Sequence, residues 1–395
     1  MFCKFITLSL LVLLLIISQA VATNIYWDDG GTGDLWSTAN NWNPNQVPTN
    51  SDHALLDLSG STTTIDSSVT AQCNMMWLGW NANPCYLKIT GGSLNIQYPY
   101  GGGCLIGVSS GSYGKVKMSG GTFTTGSDMS IGQYSGSTGI FEISDGTLNC
   151  GGWIYLPYQG SGTMYLLGGT VNAGGLYMTS QGRLDISKGS LVLDGDYRTT
   201  IQGYIDSPNG WIIAYNGSDR ATINYDYNVT HSGKTTVSAS ITAGNVEWNG
   251  NADSLWSSGL NWNIHSYPES GDHALINSSG AYCLIDNTVS AQCNQLWVGW
   301  TVNSASLEIT GGSLNVGNTA SAMLVGVSSG SQGYLTVSGG TSNIAGDMSI
   351  GQLSGSYGDM EMTGGQFTVA GALYLPSAGS GVLSLAGGTL TCGSL

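Results

Sequence analysis

The chain has 395 residues, 61 of them glycine, and sets only 9 Lys+Arg against 24 Asp+Glu. Glycine at about twice and charge at about a third of ordinary usage exclude a coiled coil, long surface helices and a charge-driven disordered chain. A net charge of −15 and a pI near 4.2 exclude nucleic acid as a partner, and equally an electrostatic grip on anionic lipid, because both need a basic surface.

Residues 1–22 read as a signal peptide. Lys4 gives the positive n-region, Phe5 to Ile17 the apolar stretch, and Ala20-Val21-Ala22 a small-residue cleavage site. No other stretch is long enough to span a bilayer, so the mature chain is expected to be secreted, extracellular or at the cell surface, without a membrane span. Cys73, Cys85, Cys104, Cys150, Cys283, Cys293 and Cys392 remain after the leader. Their odd number leaves a thiol unpaired in a monomer, and no CxxC pair marks a zinc site.

The rest of the chain is written twice. Ala71-Gln72-Cys73-Asn74-Met75-Met76-Trp77-Leu78-Gly79-Trp80 returns as Ala291-Gln292-Cys293-Asn294-Gln295-Leu296-Trp297-Val298-Gly299-Trp300. Asn41-Trp42-Asn43, Asp52-His53-Ala54-Leu55 and Asp128-Met129-Ser130-Ile131-Gly132-Gln133 return in the same way at an offset of 220 or 219. A shorter pattern recurs inside each copy, as in Leu87-Lys88-Ile89-Thr90-Gly91-Gly92-Ser93-Leu94-Asn95 and Val116-Lys117-Met118-Ser119-Gly120-Gly121-Thr122-Phe123-Thr124. From Gly92 through Gly121, Gly146, Gly169 and Gly189 its spacing is 29, 25, 23 and 20 residues.

Strict alternation over short runs predicts half-buried strands, and paired glycines predict tight turns. Several strands in each short period, with no helical periodicity after the leader, predict an all-β chain of two tandem parallel β-helix units, or β-solenoids. Rungs that vary in length at their loops favour the right-handed form. Leu94, Phe123, Leu148, Val171 and Leu191 should form an inward ladder, with Asn95, Thr124, Asn149 and Asn172 as a polar ladder beside it. Lys88, Lys117, Glu142, Tyr165 and Asp185 should point outward. Cys104 shares the inward position of Met129, Ile154 and Met323, which predicts a buried, unreactive thiol.

The first unit is expected over residues 23–245, with 197–245 as its closing turns and edge cover. The second unit, 246–395, shows no such closing segment. It therefore reads as truncated, or as capped by something else, with an exposed end that invites end-to-end self-association.

Trp36-Ser37, Asn41-Trp42-Asn43, Pro48 and Asp52-His53-Ala54 resemble the opening segment of the autotransporter and PEP-CTERM-associated repeat of large exported bacterial proteins, especially of planctomycete type. The Gly-Gly rungs are similar to that family's body. The resemblance implies a surface or extracellular bacterial β-helix and transfers no catalytic residue.

Gly107-Val108-Ser109-Ser110-Gly111 matches the nucleophile-elbow pattern, but a Gly-rich turn and another strand follow where a helix is required. Gly30-Gly31-Thr32-Gly33-Asp34 is near a calcium nonapeptide, with its aspartate one place early. Asp52-His53 and Asp272-His273 read best as turns entering strands. The basic residues are scattered along the chain, and no carboxylate pair of the kind used by polysaccharide lyases or hydrolases appears. No catalytic residue, metal or cofactor is expected.

The aromatics remain. Trp77 shares an outward register with Leu105, Ser130, Tyr155 and Tyr177, so Trp77, Trp80, Tyr155, Tyr177, Trp297, Trp300 and Tyr374 are candidates for stacking on sugar rings. The competing reading is that these rings cap the open first rung or pack under loops. The function expected first is a non-enzymatic structural, adhesive or spacer element whose partners are extracellular polysaccharide or other surface proteins. A carbohydrate-binding module comes second, and an enzyme of the pectate-lyase sort third.

Overall fold

In the computed structural model, which describes residues 22–81, 84–301 and 304–395, the chain is a β-solenoid of about 15 turns. The leader, apart from its last residue, lies outside the described residues. Each full turn contributes strands to three parallel sheets. In the second unit these are separate ladders, beginning at His273–Ile276, Tyr282–Ile285 and Ser290–Cys293. In the first unit the equivalent strands often run together through the corner, as in Cys85–Ile96 and Tyr113–Thr125.

The alternation in the sequence decides which side chains fill the prism. On the first sheet Ile25, Ala54, Met76, Cys104, Met129, Ile154 and Leu176 lie in register, all buried. The third sheet carries the expected ladder of Leu94, Phe123, Leu148, Val171 and Leu191, also buried. Beside it Asn172 Nδ2 donates to Asn149 Oδ1 at 2.9 Å, and Asn343 Nδ2 to Asn315 Oδ1 at 3.1 Å in the second unit. The Gly-Gly corner has a steric cause. Gly92 sits at φ +60°, and a Cβ there would lie 2.2 Å from the Val69 carbonyl oxygen; Gly312 repeats both features.

Each unit opens on a tryptophan cap. Trp27 and Trp36 meet Trp42 edge to face at 5.0 and 4.8 Å, and Trp42 Nε1 donates to the Trp36 carbonyl at 2.8 Å. Trp248, Trp256 and Trp262 reproduce this at 5.1, 4.9 and 2.8 Å. Asn41 staples the preceding glycine loop: its Oδ1 accepts from Gly31 N, and its Nδ2 donates to the carbonyls of Gly33 and Leu35. Asn261 does the same for the loop at Ala252 to Leu255.

The chain after Ser190–Asp194 folds back over the end of the first unit, and Asn245 already pairs with His273 of the second. The strand Lys234–Ile241 lies antiparallel on Ser190–Asp194, pairing Val237 with Leu191, and forms a hairpin with Ala221–Tyr227. One element differs from expectation. A helix, α1, spans Arg198–Ile205 and sets Ile201 into the core, with Tyr204 and Ile205 packed beside it. Two helical turns with one buried anchor are too short for a period to show in the sequence. The segment serves both units, since Ile223 and Ala239 touch both cores and Tyr215 belongs to the second. At the other end, Val382 and Leu385 in the last turn are exposed.

The outward ladder of the second sheet requires a correction. Lys88, Lys117, Glu142, Tyr165 and Asp185 are in register as expected, yet Glu142 and Asp185 are buried. The opening loops of the second unit lie across them. His265 Nδ1 and Asp185 Oδ2 are 2.6 Å apart, and the His265 ring meets Tyr165 edge-on at 5.5 Å. Lys117 reaches Asp253, and Lys188 pairs with Glu269 at 2.9 Å while lying 3.5 Å over the Tyr267 ring. Lys117 and Lys188, far apart in the sequence, thus meet the second unit at the seam. Lys115, 2.9 Å from Glu142, is half-buried, which alone would lower its pKa, but the Glu142 charge and hydrogen bond outweigh this and raise it.

Candidate functional site

Period-two alternation turns every second residue of the first sheet away from the core. In the first unit this outer row is Tyr26, Leu55, Trp77, Leu105, Ser130, Tyr155 and Tyr177; in the second it is Glu247, Leu275, Trp297, Leu324, Ser349 and Tyr374. The candidate aromatics fall into two environments along it. Trp77 and Trp80 meet edge to face at 5.1 Å and are half-buried, flanked in the ladder by the buried Leu55 and Leu105. Trp297 and Trp300 repeat the pair at 5.3 Å, with the His273 ring 4.3 Å from Trp297.

Three ladder steps from Trp77, about 14 Å along the axis, the row opens to solvent. Tyr155 lies 5.4 Å from Tyr158 and 5.7 Å from Tyr177, ring centre to ring centre. Tyr158 and Tyr177 are 45% and 44% exposed, and Tyr374 of the second unit is 46% exposed. Tyr155 and Tyr177 are therefore brought together, as are the two tryptophan pairs, but the tryptophans and tyrosines do not form one continuous stripe.

Beside Tyr155 is a depression of about 250 Å³ lined by Gly101, Gly102, Asp128, Ser130, Gln133, Tyr155 and Tyr158. Of these, only Tyr155 stands out in the sequence as a candidate. The sequence signal for the others is the block Asp128 to Gln133, which returns unchanged as Asp347 to Gln352. Asp128 Oδ1 accepts from Trp153 N at 2.8 Å, and Asp347 Oδ1 from Ala372 N at 2.8 Å, so both carboxylates are held in place by the next turn. Ser130 is 3% exposed and its hydroxyl has no hydrogen-bond partner; in the second unit the buried Oε1 of Gln352 has none either. Burial and then the Asp128 charge push the Tyr155 phenol up, which keeps it a neutral donor at physiological pH.

The other motifs have local structural roles. Ser109 lies in a turn that runs into the strand Tyr113–Thr125, and no helix follows it. Asp52 Oδ2 accepts from the Thr49 backbone and hydroxyl, and Asp272 Oδ2 from Glu269 N, so both aspartates tie turns that enter strands. Among the described residues no three His, Cys, Asp or Glu side chains converge.

Fold and face together define a tandem β-solenoid with a partly exposed aromatic row on one sheet of each unit. No family model, curated protein or solved structure matches the chain.

Proposed function

We propose that the protein is an exported, non-enzymatic β-solenoid that acts as a structural, adhesive or spacer element at a bacterial surface. The observation that carries this reading is the long parallel ladder within each unit. Its inward rows are mostly apolar, with Thr63 and Ser342 among the exceptions, and its corners are glycine turns, which makes a stiff prism with long sheet faces and few loops. The apolar leader and the resemblance of the opening and rung blocks to exported bacterial repeats support the location. Fractionation of bacteria that express the full chain with its leader tests it. Protein in the medium or on the cell surface is expected; retention in the cytoplasm would overturn the location, and turnover of polyuronates the non-enzymatic role.

A second reading, a carbohydrate-binding module, is favoured by the exposed rings of Tyr158, Tyr177 and Tyr374. Exposed tyrosines combine a flat apolar face with a polar tip, the pairing that sugar rings require.

A further inference from the structure

We propose that each unit carries one subsite for an uncharged pyranose polysaccharide, built on its Asp-x-Ser-x-x-Gln block. In the first unit Asp128, Ser130 and Gln133 supply the polar floor, with Tyr155 and Tyr158 as the walls; in the second, Asp347, Ser349 and Gln352 lie beside Tyr374. This deepens the adhesive reading and rests on it.

Three observations converge on these residues. The depression joins apolar ring surface to a few fixed polar groups, the usual composition of a small-ligand site. Ser130 is buried, lines the depression and has an unused hydroxyl, and Gln352 has a buried, unused acceptor. A buried polar group without a partner is costly, and a ligand hydroxyl placed there would satisfy it. Finally, the central ladder step is duplicated: Ser349 pairs with Tyr374 as Ser130 does with Tyr155, with Ser377 standing where the first unit has Tyr158.

The chemistry selects the ligand. Tyr155 and Tyr158 cross at 85° within one turn and Tyr155 and Tyr177 at 54° on successive turns, so both ring faces and ring edges are presented beside the depression. A chain of pyranose rings offers matching C–H faces and equatorial hydroxyls that both donate and accept. Asp128 and Gln133 supply acceptors, and Gln133 and the Tyr155 phenol supply donors. None of the lining residues is basic, Asp128 is acidic and the whole chain carries −15, so a polyuronate would meet like charge.

Affinity electrophoresis of the full chain through gels containing glucan, mannan, xylan or polygalacturonate tests this. Retardation by at least one neutral polymer, and none by polygalacturonate, is expected. Y155A combined with Y374A should lower affinity at least tenfold, Y158A alone severalfold, and Y155F much less than Y155A. With a matching hexasaccharide, calorimetry should give two sites per chain, and one in either single tyrosine variant. Unchanged melting of Y158A, whose ring is exposed, separates lost binding from lost folding. Absence of retardation by every neutral polymer, preference for polygalacturonate, or full binding by the double variant would each overturn the subsite. Adhesion to cell-wall material is measured alongside. Equal adhesion of wild type and double variant leaves the adhesive reading standing without the subsite. No adhesion by either removes the adhesive reading, while the gels still decide the subsite.

Discussion

Asp185 and His265 stand eighty residues apart in the chain and share a 2.6 Å hydrogen bond where the second unit lies against the first. The other Asp185 oxygen accepts from Asn216 N at 3.1 Å, so one buried carboxylate ties the first unit, the closing segment and the second unit together. Asp185→Ala should therefore destabilise the chain by roughly 1.5–3 kcal/mol, as loss of a hydrogen bond to a charged group does. A denaturant-melt cycle with His265→Ala checks the coupling. Strict additivity of the two changes would show that the contact carries no weight.

The inward ladder gives a second expectation. Phe123 is fully buried between Leu94 and Leu148 and lies 5.9 Å from the Phe141 ring. Phe123→Ala should cost about 3–5 kcal/mol, because the turns above and below are fixed by their own hydrogen bonds and close over the void poorly. Urea unfolding measures this; a loss below about 1 kcal/mol would mean that the ladder relaxes freely.

Acid should weaken the opening of both units. Burial lowers the pKa of His53 and His273 from the ordinary 6.5, with the Asp52 charge opposing it only in part at His53. A histidine with a depressed folded pKa leaves the unfolded chain binding more protons, so stability is full above 6.5 and falls as pH drops through it. Melting temperature should decline between pH 7.5 and pH 5, before carboxylates titrate, and the decline should shrink in His53→Gln/His273→Gln. An identical slope in that variant would remove both residues from the account.

Thiol reactivity should follow depth. Cys104 is fully buried and burial pushes its thiol well above the ordinary value, whereas Cys392 in the last turn is partly exposed. Brief treatment of native protein with a maleimide, followed by peptide mapping, should label Cys392 and leave Cys104 unmodified. Early labelling of Cys104 would mean that the first sheet opens.

The prism was legible because its information is local. Alternation at Leu87 to Asn95 and the Gly91-Gly92 corner are visible in nine residues, and the inward ladder follows from aligning such blocks. The seam was not legible in this way. Period two tells whether Glu142 and Asp185 face their own core, but not that loops from beyond residue 250 will lie over them. Helix α1 gave too few residues for a period. At the candidate site the repeat of Asp128 to Gln133 was plain, but its meaning depends on Tyr155 and Tyr158, which reach it only by coming round one further turn.

The distribution of basic residues along the chain has a practical consequence. Every Lys and Arg of the chain lies at or before residue 234, so residues 235–395 offer no cleavage site for trypsin and no lysine for coupling. Digestion, however long, must leave that whole region as one fragment. Attachment of the intact chain to an amine-reactive surface must anchor it by the first unit, or by the amino terminus, with Tyr374 and its neighbours presented on the part that carries no tether.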